Sequence, residues 1–235
     1  MGRVTALASA DLWYHYGRTR HASDRTVPDT FRWAWGQDCG PGPDVLGDLS
    51  GLCVADLGAG AARHAAHLAV HHRPARVVAL DASPAQHTMA TDLYGHLAPR
   101  LQLVRSDVVE HLQAAPGTYD VLYSVFGAVD FTEPRHLLPA AASALRWGGR
   151  LVFSTLAHYL SGAPAQPDVE HADIPAKTPD GEPVTMRRWV LQEHVWAKLL
   201  DEAGFTRISG DLLPGGQGPR AADTLLLTAC RGPLP

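Results

Sequence analysis

Cysteine and lysine are scarce in this sequence, and long apolar runs are missing from it. The three cysteines, Cys39, Cys53 and Cys230, form no C-x-x-C pair, which argues against a disulfide framework and a zinc site. Lysine occurs only at positions 177 and 198 and the arginines are scattered, so no basic cluster predicts nucleic-acid binding. No window reaches the apolar length of a membrane span, and the first residues are too broken for a secretory signal. We therefore expect a cytoplasmic protein without membrane or nucleic-acid partners.

The rest of the composition is that of an ordinary globular enzyme. The chain has 235 residues, 46% of them apolar and 19% charged, with a net charge of −4. This length suffices for one sizeable α/β domain and is short for two. We expect an N-terminal lid segment at 1–50, helical and aromatic, that either packs on the core or closes over a site. A domain at 51–235 follows, with a long loop insertion at 157–189.

From residue 52 onwards, short apolar strands alternate with helical patterns. The predicted strands of this part are 52–57, 76–81, 101–104, 119–125 and 150–154. Ser83 is the expected N-cap of one helix, with Pro84 as its first residue. Because strands that alternate with helices build βαβ units, we expect a doubly wound, mostly parallel sheet. Segments 205–213 and 224–229 predict an antiparallel, hairpin-like ending.

The turn Gly58-Ala59-Gly60 after the first strand predicts a ligand site. A strand, a Gly-x-Gly turn and a helix N-terminus bring backbone N–H groups close to a ligand. A dinucleotide site has a third glycine where this sequence has Arg63. Asp56 would repel a pyrophosphate and suits the ammonium group of an amino acid. Asp81, at the end of the second strand, can accept hydrogen bonds from two ribose hydroxyls, as in both NAD and S-adenosylmethionine (SAM) sites.

The order of motifs over residues 50–230 resembles that of the class I SAM-dependent methyltransferases. The motifs are VADLGAGAARHAAHLA, VVALDASPAQ, LVRSDVVEHL, YDVLYSVFGAVDF, LRWGGRLVFS and LLDEAGF. The resemblance is to the small-molecule group, which includes natural-product tailoring and ubiquinone/menaquinone-type enzymes. It implies a Rossmann-like sheet of seven strands, the last antiparallel, and makes 51–235 a SAM-binding methyltransferase domain. Ala62 stands where the family usually has the third glycine of its loop.

The resemblance also implies the reaction and the cofactor residues. The chain would transfer a methyl group from SAM to an O or N atom of a small organic acceptor, releasing S-adenosylhomocysteine. Asp107 would hydrogen-bond the adenine edge, and 124–126 would border the sulfonium and adenosine. The expected cofactor-binding residues are Asp56, Gly58, Ala59, Gly60, His64, Asp81, Ala82, Gln86, Ser106, Asp107, Val108, Ser124, Val125 and Phe126.

The acceptor residues are expected in segments that would cover the site. Methyl transfer needs alignment and exclusion of water, and a hydroxyl acceptor is helped by a general base. His15 and Asp130 are the candidate catalytic residues for acid–base work. For two candidate tryptophans core or lid packing is an alternative of equal weight, and for His158 a solvated loop is favoured. The candidate substrate-binding residues are Tyr14, Tyr16, Trp33, Trp35 and His158.

Two further clusters have a functional and a structural interpretation. His64, His67 and His71 recur at helical spacing, which is compatible with a metal site. We favour a polar helix face in a histidine-rich protein and expect no metal. Arg187-Arg188 either pairs with an anionic substrate through its forked donors or forms a solvated strand edge, and we favour the edge.

Two other functions remain as alternatives to methyl transfer. The chain could bind SAM without transferring a methyl group, as a cyclase-like or regulatory protein. An NAD(P)-dependent reductase is disfavoured by Asp56 and Arg63, and the sequence lacks the Tyr-x-x-x-Lys motif of many reductases. A monomer and a homodimer are both compatible with the sequence.

Overall fold

The computed structural model describes residues 11–18, 24–216 and 221–232. Its strands are β1 (Cys53–Leu57), β2 (Arg76–Asp81), β3 (Leu101–Arg105), β4 (Tyr119–Val125), β5 (Leu145–Leu156), β6 (Ala172–Lys177), β7 (Pro183–Arg188), β8 (Phe205–Leu213) and β9 (Thr224–Arg231). Its α-helices are α1 (Arg63–His71), α2 (Pro84–Tyr94), α3 (Val108–Gln113), α4 (Ala128–Phe131), α5 (Pro134–Ala144) and α6 (Glu193–Glu202).

Seven of the strands form one sheet in the order β3-β2-β1-β4-β5-β9-β8. The pairs from β3 to β5 are parallel, whereas β9 runs antiparallel to both β5 and β8. The predicted doubly wound, mostly parallel sheet with an antiparallel ending is therefore confirmed. The strand order reverses between β1 and β4, and open α/β sheets bind ligands at the carboxyl ends of the strands beside such a reversal.

Apolar residues cover both faces of this sheet. Successive residues of β1 show the alternation, since Val54 packs with the layer that contains α1 and α2, whereas Ala55 packs with the layer of α5 and α6. Trp33, from the N-terminal segment, is fully buried in the first of these layers. Burial on both faces explains why the parallel strands read as continuous apolar runs in the sequence.

Side chains at the predicted positions cap two helices beside the sheet edge. The Ser83 hydroxyl accepts a hydrogen bond from the Gln86 N–H at 3.1 Å, and Pro84 is the first residue of α2, as the sequence predicts. Asp107 caps α3 in the same way, because its Oδ1 accepts from the N–H groups of Val109 and Glu110 at 2.8 and 3.1 Å. Both helices thus begin immediately after a strand end, next to the site.

The segment predicted as a loop insertion, 157–189, contains an antiparallel hairpin of β6 and β7. Its turn lies at the predicted Pro179-Asp180-Gly181 signal, where Gly181 N–H donates to Thr178 O at 2.9 Å. Because proline is rare in strands, Pro175 and Pro183 kept this hairpin from being predicted from the sequence. They are tolerated because both members of a two-stranded sheet are edge strands, whose outer N–H groups need no partner.

Two other elements differ from the predicted ones. Residues 12–17 of the predicted helical lid form turns, and the lid residues 1–10 and 19–23 lie outside the described residues. Strand β5 begins at Leu145, directly after α5, although the pattern predicts a start at Arg150. An irregularity in the β4–β5 register between Tyr119 and Val121 accommodates the additional residues, as a β-bulge does.

None of the helices within residues 11–18, 24–216 and 221–232 is both long enough and apolar enough to cross a membrane.

We predict a large difference between two substitutions of tryptophan by alanine. Trp196 is fully buried, with its ring centroid 5.2 Å from that of Phe153, whereas Trp147 is 54% exposed. Trp196→Ala should lower the free energy of unfolding by about 3–5 kcal/mol because it leaves a cavity. Trp147→Ala should change it by less than about 1 kcal/mol. Urea unfolding followed by circular dichroism measures both, and similar losses would contradict the packing described here.

Candidate functional site

A pocket of about 750 Å³ opens at the carboxyl ends of β1 to β4, where the strand order reverses. One side of it is built by the strand ends and the turns that follow them. The other side is built by the N-terminal segment, by the residues after β4 and by the β6–β7 hairpin. Parts of the chain that are distant in sequence therefore face each other across one space.

The floor of the pocket depends on close contact between two backbone turns. Gly58 has a left-handed φ of 78°, and a Cβ at this position would overlap the backbone nitrogen of Ala128. A Cβ at Gly127 would lie 2.5 Å from Leu57 O. Only glycine allows the turn after β1 and the turn after β4 to pack in this way. Ala62 also adopts a left-handed φ, of 60°, as the N-cap of α1.

Asp81 connects the first two turns of the pocket. Its Oδ2 accepts a hydrogen bond from the Gly60 N–H at 2.8 Å, and its Oδ1 accepts from the Ser83 N–H at 2.9 Å. Burial raises the pKa of this carboxyl group above its usual value, and the two backbone hydrogen bonds act in the opposite direction. Each oxygen keeps a second lone pair, so the carboxylate can also accept hydroxyl donors from a ligand.

Asp56 lies deeper and is only 2% exposed. The Tyr123 hydroxyl donates a hydrogen bond to its Oδ2 at 2.8 Å. Burial raises the pKa of Asp56 to about 7; the Tyr123 hydrogen bond lowers it, and the nearby Asp81 raises it further. A ligand cation in the pocket would favour the ionised carboxylate. Tyr123 was not predicted from the sequence, although its position in β4, opposite Asp56 of β1, would have indicated the contact.

The N-terminal segment is attached to the start of α2. Asp11 Oδ2 accepts hydrogen bonds from the Ser83 hydroxyl at 2.8 Å and from the Ala85 N–H at 3.0 Å. The Gln86 side-chain amide donates to the carbonyl oxygens of Trp13 and Tyr16 at 2.8 and 3.0 Å. These bonds hold Trp13 and Tyr16 over the pocket, which both residues line.

A hydrogen bond between His15 and the hairpin completes this cover. His15 Nε2 donates to Thr178 O at 2.9 Å, next to the turn between β6 and β7. Ile174, Pro175 and Met186 of the hairpin line the pocket below this contact. The N-terminal segment therefore bridges α2 and the hairpin, which gives the pocket a roof.

Aromatic rings form the wall between the roof and the residues after β4. Trp13 packs edge-on against Phe131 with ring centroids 4.6 Å apart. Trp35 packs edge-on against Phe126 at 4.9 Å. All four rings line the pocket, so this part suits a flat, apolar ligand.

A buried ion pair stands behind the aromatic wall. Arg188 donates from Nη2 and Nε to Asp130 Oδ2 at 2.6 and 3.1 Å, and the two residues are 5% and 0% exposed. Burial raises the pKa of Asp130, whereas the guanidinium of Arg188 acts to lower it. Arg188 lines the pocket, while Asp130 does not. The functional interpretation of Arg188, which the sequence pattern did not favour, therefore gains a geometric basis.

The expected cofactor residues come together in this structure. All of them line the pocket except Ser124, whose hydroxyl lies beneath it and donates to Leu57 O at 2.8 Å. Gln86 is 2% exposed, and its Oε1 is buried with no hydrogen-bond partner among the described residues. This oxygen faces Gly60. Direct contact of each residue with a cofactor stays a prediction.

The expected acceptor residues are divided between the pocket and other places. Tyr16 and Trp35 line it, but Tyr14 and His15 do not. The fully buried Trp33 donates from Nε1 to Gly42 O at 2.9 Å, which is the core-packing alternative. The other two candidates, His158 and Asp130, also lie outside the lining, and a catalytic role for His15 or Asp130 stays a prediction.

One predicted residue, His158, is occupied by contacts outside the pocket. His158 donates from Nδ1 to Tyr159 O at 3.0 Å and accepts from the Asp223 N–H at 3.4 Å. Among the lining residues that were not predicted from the sequence are Trp13, Gln37, Phe131, Ile174 and Met186. Their periodicity carries no sign of a site, because only the tertiary fold brings them to the strand ends.

The histidine cluster on α1 divides between the pocket and the far side of the helix. His64 lines the pocket, whereas His67 donates from Nδ1 to Pro28 O at 2.8 Å, and its Nε2 lies 3.2 Å from His72 Nε2. Within residues 11–18, 24–216 and 221–232, no group of three or more His, Cys, Asp and Glu side chains is arranged to hold a metal ion.

Comparison with known proteins matches the part of the chain that builds the strand ends. Residues 54–149 match the family model described as a methyltransferase domain. A search among curated proteins found no match.

Solved structures share the fold. A SAM-dependent methyltransferase from Mesorhizobium loti superposes with a TM-score of 0.57 at 20% identity, covering 80% of this chain and 94% of that one. A 1,6-didemethyltoxoflavin N1-methyltransferase from Burkholderia thailandensis, bound to its acceptor and S-adenosylhomocysteine, gives 0.54 at 21% identity, with 78% and 72% covered. The [4+2]-cyclase SpnF gives 0.60 at 14% identity, with 80% and 79% covered.

We predict that Asp56 makes stability depend on pH. Its pKa rises from 3.8 to about 7 on folding, so its favourable contribution is complete below pH 4 and is lost as the pH rises towards 7. Asp56→Asn keeps an oxygen that can accept from the Tyr123 hydroxyl. Relative to wild type, it should therefore raise the free energy of unfolding of the ligand-free protein more at pH 8 than at pH 4, by on the order of a few kcal/mol. Urea unfolding at both pH values tests this, with the exposed Asp201→Asn as control; parallel profiles for Asp56→Asn and wild type would contradict it.

The match and the sheet topology agree, because the matched residues supply β1 to β4 and the turns that build the floor of the pocket. Residues 54–149 therefore match a methyltransferase domain, and the described residues have a Rossmann-like methyltransferase fold.

Proposed function

We propose that this chain is an enzyme that transfers a methyl group from SAM to an O or N atom of a small organic acceptor. One observation carries the proposal. A single pocket joins the carboxylates of Asp56 and Asp81 and the glycine turn, on one side, to an aromatic compartment on the other. The first side suits a nucleoside with an amino-acid tail, and the second suits an organic acceptor.

The residues on the strand-end side fit the cofactor by their chemistry. Asp81 has lone pairs for the ribose hydroxyls, and Asp107 lies at the end of β3 for the adenine edge. Asp56 and the start of α1 suit the ammonium and carboxylate of the methionine part. The unpartnered Gln86 Oε1, which faces Gly60, offers a further acceptor on this side.

When bound, SAM supplies a methyl group activated by a positively charged sulfur. The chain has to hold the acceptor in line with that group and to exclude water. Phe126 and Gly127, directly after β4, line the pocket and would border the cofactor beside the aromatic wall. The roof formed by Trp13, Tyr16 and the hairpin would shield the bound acceptor from part of the solvent.

Acid–base assistance would be supplied from outside the pocket lining. His15 is tied to Thr178 O through Nε2, and Asp130 is tied to Arg188. His15 would have to break its hydrogen bond to Thr178 O before it reached an acceptor hydroxyl, whereas Asp130 is placed to hold Arg188. An acceptor with an acidic hydroxyl or a neutral amine would need no base.

The neighbouring structures support a small acceptor and keep one alternative open. The Burkholderia enzyme binds 1,6-didemethyltoxoflavin and S-adenosylhomocysteine, which supports a small-molecule and natural-product role for this chain. The [4+2]-cyclase SpnF shares the fold, which supports a cyclase-like function without methyl transfer as the alternative. We further propose a cytoplasmic protein, monomeric or homodimeric.

SAM and S-adenosylhomocysteine should raise the melting temperature of the purified protein, and NAD(P) should not. A ligand that binds only the folded state stabilises it by an amount set by its concentration over its dissociation constant. Differential scanning fluorimetry at millimolar ligand measures the shift. An unchanged melting temperature with both SAM and S-adenosylhomocysteine would refute the proposal.

Asp81→Ala should weaken SAM binding by about 10- to 100-fold, because hydrogen bonds to a charged group are lost. Asp92→Ala, an exposed change in the adjacent helix α2, serves as the matched control and should bind as wild type does. Isothermal titration calorimetry gives both affinities, and circular dichroism verifies that each variant is folded. Unchanged affinity in Asp81→Ala would mean that the ribose lies elsewhere.

Acceptor-dependent release of S-adenosylhomocysteine distinguishes the enzyme from its alternative. A methyltransferase should release it only when a suitable acceptor is present. A protein that binds SAM tightly but releases no product with any acceptor of a broad panel would favour the cyclase-like or regulatory function.

A further inference from the structure

Charge is distributed unevenly over the walls of the pocket. Among the described lining residues, the aspartate and arginine side chains of the strand-end side are Asp56, Arg63, Asp81 and Asp107. The aromatic side has Arg188, which stands beside Trp35 and Phe131. Desolvation of a cation in a mainly aromatic compartment is costly, which indicates a functional role for Arg188.

The bonds to Asp130 leave much of the guanidinium available. Arginine has five N–H donors, and the two bonds to Asp130 Oδ2 use Nε and one hydrogen of Nη2. Both hydrogens of Nη1 and one of Nη2 have no partner among the described residues. These donors form the end-on fork of the guanidinium, whose geometry matches the two oxygens of a carboxylate.

The fork is held rigidly in place. Asp130 fixes one edge of the guanidinium, and the backbone N–H of Trp189 donates to Asp130 O at 2.8 Å, which ties β7 to α4. The Cζ atom of Arg188 lies 5.3 Å from the ring centroids of both Trp35 and Phe131. Contact with two ring faces limits its motion and favours the charged group at this depth.

The ring arrangement determines which ligands fit beside the fork. Trp35 and Phe126 meet edge-on, so flat surfaces border the space next to the end of β4. Arg188 itself is only 5% exposed, and an attraction between opposite charges is stronger at a buried group than in bulk solvent. The position lies beside the segment that, on the proposed function, borders the methyl group.

We propose that Arg188 binds the carboxylate of a planar aromatic acceptor, whose ring packs against Trp35 and Phe131. This inference rests on the proposed function, which it narrows to aromatic carboxylic acids that carry a hydroxyl or amino group to be methylated. Asp130 is a positioning residue: it holds the guanidinium with its fork towards the pocket and offsets its charge when no acceptor is bound.

The test compares two probes that differ only in charge. Wild-type protein saturated with S-adenosylhomocysteine is titrated with 1-hydroxy-2-naphthoate and with the neutral 1-hydroxy-2-naphthamide by isothermal titration calorimetry. The carboxylate should bind at least about tenfold more tightly than the amide, because charge-assisted hydrogen bonds exceed neutral ones.

Variants then assign the preference to Arg188. Arg188→Gln combined with Asp130→Asn removes both charges, so that no buried carboxylate is left without its partner. The double variant should bind the two probes equally, with an S-adenosylhomocysteine affinity within about twofold of wild type. The control Arg187→Gln changes the neighbouring exposed arginine of β7 and should keep the preference.

Three results would overturn the inference: equal binding of the two probes to wild type, binding of neither probe, or a carboxylate preference that persists in the double variant. If the wild-type protein did not bind S-adenosylhomocysteine at all, that result would instead count against the proposed function. A protein that binds S-adenosylhomocysteine but shows no carboxylate preference would lose only the assignment of the acceptor class.

Discussion

The pocket depends on the backbone contact between the turns that follow β1 and β4. Gly58 meets Ala128, and Gly127 meets Leu57, at separations that leave no room for a Cβ. This contact forms the floor of the crevice that the reversal of strand order opens between the two strands. It also places α4, with Asp130 and Phe131, directly beside the glycine turn. The two sides of the pocket are therefore adjacent because two glycines let two backbones touch.

Buried charge is the main electrostatic feature built on this contact. Asp56 and Asp130 are both almost fully buried, but their surroundings differ. Asp56 has a tyrosine hydroxyl as its partner and a pKa raised to about 7, so it can be neutral until a cationic ligand arrives. Asp130 has a permanent cation as its partner and a raised pKa that this cation opposes. A buried ion pair contributes little to stability, so stability alone does not explain the buried Arg188, and a functional role is favoured.

The sequence predicts the strand-end half of the site well and the opposite half poorly. The turn residues Gly58 and Asp81 follow strands whose apolar runs are easy to recognise, and parallel strands bring their ends to one edge by topology alone. Trp13, Phe131 and Met186 reach the pocket only through tertiary contacts between distant segments, so local periodicity says nothing of their role. The β6–β7 hairpin was missed for the same reason, since its prolines are compatible only with a sheet of two edge strands.

The two sides of the pocket differ in how freely their residues can change. The strand-end residues are fixed by the packing of the whole sheet, and a change there disturbs both the fold and the proposed cofactor site. The roof is tied to its surroundings by side-chain hydrogen bonds: Asp11 bonds to the start of α2, Gln86 of α2 bonds to the N-terminal segment, and His15 bonds to the hairpin. Their pocket-facing residues can vary without disturbing the sheet. Arg188 is the exception, because its partner Asp130 lies in α4, which packs against the glycine turn after β1. The ion pair therefore joins the β6–β7 hairpin to the strand ends of the sheet. In this way the sheet determines where the positive charge of the acceptor compartment lies.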